Sequence, residues 1–286
     1  MGCFMSKNAD TKASRIARWR ATGIVALRDS KLKTFPDEII TLDTSVRTLD
    51  LTHNRIDKWF FILFLFLAYI LVKMSLIQRG YVDIPVEINK LINVQRLILA
   101  ENFIERLPVS LGKLQSLKLM NLDGNRITSL PDELDQLVRL ERLSVSRNLL
   151  ASLPVTIGSL RNLVLLNVSN NKLQSLPESV GSCSSLEELQ ANDNLIEDLP
   201  SSVCNLSHLK SLCLDNNNVK QTPLNLLKDC KALQNISLHG NPISMDQLQQ
   251  MEGFQEFEAR RKKKFDKQID SNVMIGSKGL DEGVDL

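Results

Sequence analysis

The sequence predicts a curved α/β solenoid, a horseshoe of about nine turns of period 23, with short parallel strands on the concave face and a capping helix at the C-terminal end. Three observations predict it. Asn recurs at Asn102, Asn125, Asn148, Asn171, Asn194 and Asn217, in steps of 23 residues. Pro recurs at Pro85, Pro108, Pro131, Pro154, Pro177, Pro200 and Pro223, in the same steps and in fixed register with the Asn series. Between the two series the chain repeats LxxLxLxxNxLxxLPxxLxxLxx, as in VQRLILAENFIERLPVSLGKLQS over residues 94–116.

A unit of this length and pattern is a leucine-rich repeat, which makes one solenoid turn. Its LxL pair, such as Leu97 and Leu99, alternates inward and outward and makes a short parallel strand. The Asn turns into the solenoid, where its amide satisfies backbone groups at the bend. The Leu-Pro step biases the chain to extended structure before the outer segment. Leu111 and Leu114 then cover the convex side as a short helix or 3₁₀ turn. One turn cannot bury its own apolar face, whereas a stack buries a continuous core. The ladder extends to Asn54 and Asn241, with Ser30 in the Asn slot of an atypical first turn. That gives nine turns within a solenoid of residues 21–267.

The repeat is broken once. Asn54 and Asn102 are 48 residues apart, 25 more than one period, and Asp57–Tyr81 is 25 residues long. Removing it joins NRI to VDIP, which restores NxLxxLP. Trp59–Val72 is an unbroken apolar run of 14 residues, about 21 Å of helix and short of the roughly 20 residues a membrane span needs. A span there would also part the strands on either side. Three readings stand for the segment: translated non-coding sequence, a looped-out insertion, or a single-pass transmembrane helix in a receptor-like protein.

The N-terminus, Met1-Gly2-Cys3-Phe4-Met5-Ser6, matches the myristoylation signal at Gly2, with Cys3 placed for palmitoylation. Lys7, Lys12, Arg15, Arg18 and Arg20 supply a basic run, so residues 1–20 read as a lipidated basic segment drawn to an anionic leaflet. At the other end, Ser244 is the expected N-cap of a capping helix over Met245–Lys267. Arg260–Lys264 reads as a solvated helix end or as a basic patch, and residues 268–286 as a disordered tail.

Composition narrows function by exclusion. Lys plus Arg number 35 against 33 Asp plus Glu, a net charge of +2, and aromatics are 5%. That argues against a nucleic-acid binder. The five Cys form no CxxC, so neither a disulfide framework nor a metal site is expected. No P-loop, nucleophile-elbow or zinc-protease motif occurs, and His53, His208 and His239 lie beside no candidate nucleophile in the sequence. No cofactor and no enzyme activity are expected. What remains is the concave face. Its outward positions lie six, four, two and one residues before each Asn. They carry Arg96, Glu101, Asp123, Arg142 and Arg147, then an acidic patch at Glu188, Asp193 and Asp215. These eight residues are the expected contacts for a protein partner.

The 23-residue unit with its LP steps, the MGC start and the EGFQEFEARRKKKF close together resemble the intracellular "Ras-group" leucine-rich-repeat proteins, the plant ones included. The resemblance implies an intracellular, non-enzymatic signalling scaffold whose partners include small GTPases or their effectors. With the acylation signal, it implies a monomer at the cytoplasmic face of the plasma membrane and in the cytoplasm. The GxIP step and paired capping Cys of plant receptor ectodomains are missing.

Overall fold

The computed structural model describes residues 11–56, 84–270 and 284–285. Helix α1 (Lys12–Thr22) comes first. The Ser14 N–H donates to Thr11 Oγ1 at 3.2 Å, and Gly23 ends the helix in left-handed backbone, φ 69°. Trp19 is the buried residue of α1, 3% exposed, and it seats the helix on β1 (Ile24–Ala26). The expected boundary between residues 20 and 21 therefore falls inside a helix that closes the stack. Among so many basic residues, Ile16 and Trp19 alone carry its apolar stripe.

The strands follow in chain order: β2 (Thr48–Asp50), β3 (Arg96–Ile98), β4 (Leu119–Asn121), β5 (Arg142–Ser144), β6 (Leu165–Asn167), β7 (Glu188–Gln190), β8 (Ser211–Cys213) and β9 (Asn235–Ser237). All are parallel, each beside its sequence neighbours, so the expected nine-turn solenoid is the observed one. Each strand is three residues long because only its central residue faces inward. Leu49, Leu97, Met120, Leu143, Leu166, Leu189, Leu212 and Ile236 are all fully buried.

On the convex side, six turns carry a 3₁₀ segment, from Val86–Lys90 to Ser201–Asn205. Each starts at the ladder Pro. The Pro ring holds φ between −72° and −64°, and its carbonyl accepts the N–H three residues on, as in Leu111 N to Pro108 O at 3.0 Å. The first and the penultimate turns use α2 (Asp37–Ile40) and α3 (Leu226–Asp229) instead. The core is one continuous apolar cluster from Trp19 to Phe257.

The interruption does not disturb the stack. β2 pairs with β3 in the common register, Leu49 opposite Leu97 and Asp50 opposite Ile98, although the partners are 48 residues apart. Ile56 and Ile84, which flank the segment, are both buried. The Asn102 amide reaches across the seam to Leu51 O at 3.0 Å, and its Oδ1 accepts from Ile56 N at 3.3 Å. The segment itself lies outside the described residues.

At the C-terminal end, Ser244 caps α4 (Met245–Gln249) through a reciprocal pair with Gln247. The expected single helix is two. Gly253, φ 88°, breaks it because a Cβ there would stand 2.7 Å from the Lys228 backbone. α5 (Phe254–Asp270) then closes the last turn with Phe257, 1% exposed. Arg260 donates to Leu233 O at 3.0 Å and Leu227 O at 2.9 Å, so the first residue of the basic run is a clamp on otherwise open carbonyls. Where residues 268–286 read as a tail, α5 continues to Asp270, and β10 (Val284–Asp285) adds a tenth parallel strand beside β9. Both extensions lack the repeat spacing on which the sequence reading depends.

Candidate partner-binding face

The concave face rests on the Asn ladder. In each turn one amide bridges two turns. Asn148 Nδ2 donates to Val145 O and Ser146 O of its own turn and to Leu122 O of the turn before, each at 3.0 Å. Its Oδ1 accepts from Ile127 N at 3.0 Å. The same four contacts recur at Asn125, Asn171, Asn194, Asn217 and Asn241. Asn54 begins the ladder, reaching back to Leu27 O and Leu32 N. Ser30 does not belong to it. Its side chain is exposed and donates to Arg28 O within its own turn, being too short to cross to a neighbour.

A second polar column, missed in the sequence reading, stands two residues before the ladder. Asp123 Oδ1 accepts from Ser146 N at 2.7 Å and from Ser144 Oγ at 2.6 Å. Ser169 Oγ accepts from Asn192 N, Asn192 Oδ1 from Asp215 N, and Asp215 Oδ1 from His239 N, at 3.2, 2.8 and 2.8 Å. Each side chain thus holds the backbone of the following turn. The signal was present as an unbroken run of short acceptors at one phase: Asp123, Ser146, Ser169, Asn192, Asp215. Asp123 and Asp215, expected as partner contacts, spend one carboxylate oxygen each on this column.

The residue just before each ladder Asn is in left-handed backbone throughout: His53, Glu101, Gly124, Arg147, Asn170, Asp193, Asn216 and Gly240 have φ between 52° and 65°. Five of the eight are Gly, Asn or Asp, the types that tolerate this conformation. The column is also a chain of contacts. Arg147 pairs with Glu101 at 3.4 Å across two turns, passing over Gly124, where a Cβ would meet the Glu101 carboxylate at 2.6 Å. Asp193 accepts from Asn170 at 3.2 Å and from Asn216 at 2.8 Å. The expected contacts Glu101, Arg147 and Asp193 are therefore already engaged with one another or with amides, though all reach solvent.

Arg96, Arg142 and Glu188 differ from these. Each opens a strand, two turns apart from the next, and each is exposed with no ion pair to a described residue. Half-exposed Ile98, Leu119 and Leu165 lie among them. The face thus offers separated charges on a partly apolar floor.

On β8, burial raises the thiol of Cys213 above its ordinary value. Burial pushes the thiol of Cys183 up to about 11 and that of Cys230 up to about 12, so both stay protonated. His208 is exposed on the outer side, against Ser184 O at 3.0 Å. Among the described residues no group of His, Cys, Asp and Glu could hold a metal ion. No helix among them is long and apolar enough to cross a membrane. The run Trp59–Val72 lies outside the described residues, as do Gly2 and Cys3.

A family model described as "Leucine-rich repeat region" matches residues 110–192 and 156–275. "Plant intracellular Ras-group-related LRR protein 7" of rice is 66% identical over 286 residues, covering all of both chains. The chain belongs to the plant intracellular Ras-group-related leucine-rich-repeat family. Another relative, an Arabidopsis thaliana protein named for LRR repeats and a ubiquitin-like domain, is 52% identical over 275 residues, covering 95% of this chain and 67% of that one. Among solved structures, a leucine-rich-repeat protein of Leptospira interrogans superposes with a TM-score of 0.67 at 30% identity, over 79% of this chain and 51% of that one. Membership in the Ras-group-related family accords with a protein-interaction role.

Proposed function

We propose that this chain is a non-enzymatic scaffold in intracellular signalling, held at the cytoplasmic face of the plasma membrane by acylation of Gly2 and Cys3, and that a protein partner docks on its concave face. The observation that carries the reading is the free row Arg96, Arg142 and Glu188 on a sheet otherwise occupied in holding itself together. The family name points to a small GTPase or its effector as the class of partner. Single charges spaced along a face set orientation and on-rate more than affinity. The matching experiment compares proteins retained from plant cytosol by the wild-type chain and by Arg96→Glu with Arg142→Glu. A partner retained by the first and lost by the second is expected, and equal retention would sink the concave-face assignment. Labelling with a myristate analogue tests the anchor: wild type takes up label and Gly2→Ala does not. Cys3→Ser keeps the label but shifts to the soluble fraction.

A further inference from the structure

Away from the concave face, the edge where the strands begin carries a cavity of about 460 Å³. It spans the first four turns. α1 and Gly23 supply Arg20 and Thr22, and the next turns supply Thr44, Ser45, Arg47, Asn93, Gln95 and Ser116. Among the described residues no carboxylate lines it. The walls are fixed from within. Asn93 Nδ2 donates to Thr44 O at 2.9 Å, and Arg47 O accepts from Gln95 N at 2.9 Å. The Arg47 stem packs on Gly23, where a Cβ would stand 3.4 Å from Arg47 Cγ. Both guanidinium groups are exposed, and neither Arg20 nor Arg47 makes an ion pair with a described residue. The bland account is that Arg20 answers the negative end of α1. That end is worth about half a charge, against two full positive charges here. Farther along the edge, Glu141 is taken by Lys118 at 2.8 Å.

We propose that this cavity binds a phosphate-bearing ligand of the inositol phosphate class, either free or as the headgroup of a phosphoinositide. Arginine forks bind phosphate oxygens bidentately, and Ser116 and the second amide hydrogen of Asn93 add neutral donors, while the hydroxyls of Thr22 and Ser45 are spent on Arg18 O and Leu42 O. The volume takes a ring carrying several phosphates and far exceeds a single inorganic ion. The proposal does not depend on acylation, since the site lies wholly within described residues.

The test uses the full chain carrying Gly2→Ala, so that no acyl chain contributes. Calorimetry reads binding of inositol hexakisphosphate, and co-sedimentation reads binding to phosphatidylcholine vesicles with and without phosphatidylinositol 4,5-bisphosphate. Vesicles matched in charge with phosphatidylserine serve as reference. Arg20→Ala with Arg47→Ala is expected to weaken binding at least tenfold, while Arg139→Ala, exposed farther along the same edge, leaves it unchanged. Circular dichroism melts confirm that both variants fold. Binding of the soluble probe alone assigns a free phosphate; preference for phosphoinositide vesicles assigns the headgroup. No binding by the Gly2→Ala chain, equal loss in the Arg139 control, or undiminished binding by the double variant would each overturn the site. Acylation could still stand in any of those cases.

Discussion

At Asn148 four hydrogen bonds meet on one amide, three of them to the carbonyls of Leu122, Val145 and Ser146 at the strand bend. Asn148→Ala leaves the Ile127 N–H unpaired inside the stack, at about 1–3 kcal/mol, and takes one of two donors from each carbonyl, which keep Asn125, Asn171 and the Gly124 N–H. Asn241 makes the same bonds, but its amide is half-exposed and water can replace it. Urea titration should therefore show a larger drop in midpoint for Asn148→Ala than for Asn241→Ala; matching midpoints would contradict the account. Asp50 gives a second residue-scale prediction. Burial pushes its carboxyl up, but the two hydrogen bonds from Thr52 and the contact with Arg28 at 2.5 Å outweigh burial and leave it below its ordinary value. A carboxylate lowered on folding stabilises the fold above its unfolded value and loses that contribution as pH falls through the folded one. Asp50→Asn should thus be less stable than wild type at pH 7, with the gap closing below about pH 4. A gap that stays constant as pH falls from about 4 to about 2 would refute it. The ladder asparagines were legible in the sequence because they recur in register with an apolar pattern. The double duty of Asp123 and Asp215 was not, since a polar residue on an outward position reads alike whether it faces a partner or the next turn.

At the scale of elements, the outer segments pack closest where glycine stands in them. In the 3₁₀ segment Val155–Ser159, a Cβ on Gly158 would lie 2.4 Å from Ser179 O of the next turn. That atom is backbone and cannot swing aside. Gly158→Ala should force the two turns apart and cost about 1–3 kcal/mol, although alanine is the better former of regular helix. The neighbouring Ser159→Ala is the control. A thermal midpoint for Gly158→Ala equal to that of the control would mean that the spacing between turns relaxes freely. Strands and outer segments were readable in the sequence, because each is dictated by a few positions that repeat. The two ends were harder. α1 shows only Ile16 and Trp19 among basic residues, and α5 begins after a glycine whose need is set by contact with the Lys228 backbone. Neither repeats, so no periodicity announces it.

For the molecule as a whole, each turn packs on its neighbours, the Glu101–Arg147 pair alone of those described above skipping a turn, and stability accumulates turn by turn between plugs at Trp19 and Phe257. The chain between Ile56 and Ile84 adds no turn to this sum. Closing a chain of that length between two fixed ends costs about 3 kcal/mol. Deleting Asp57–Tyr81 should raise the thermal midpoint and leave the far-ultraviolet spectrum per turn unchanged. A lower midpoint after deletion would show that the segment packs on the solenoid. The register of β2 on β3 carries a wider consequence. Alignment across that pair is set by side chains facing one another and not by how much chain runs between them. The seam is a port: Ile56 and Ile84 are buried on its two sides, and every later turn is in place. A gene for such a protein can gain or lose coding sequence at this one point, so new cargo can be tried there while the recognition face stays as it is.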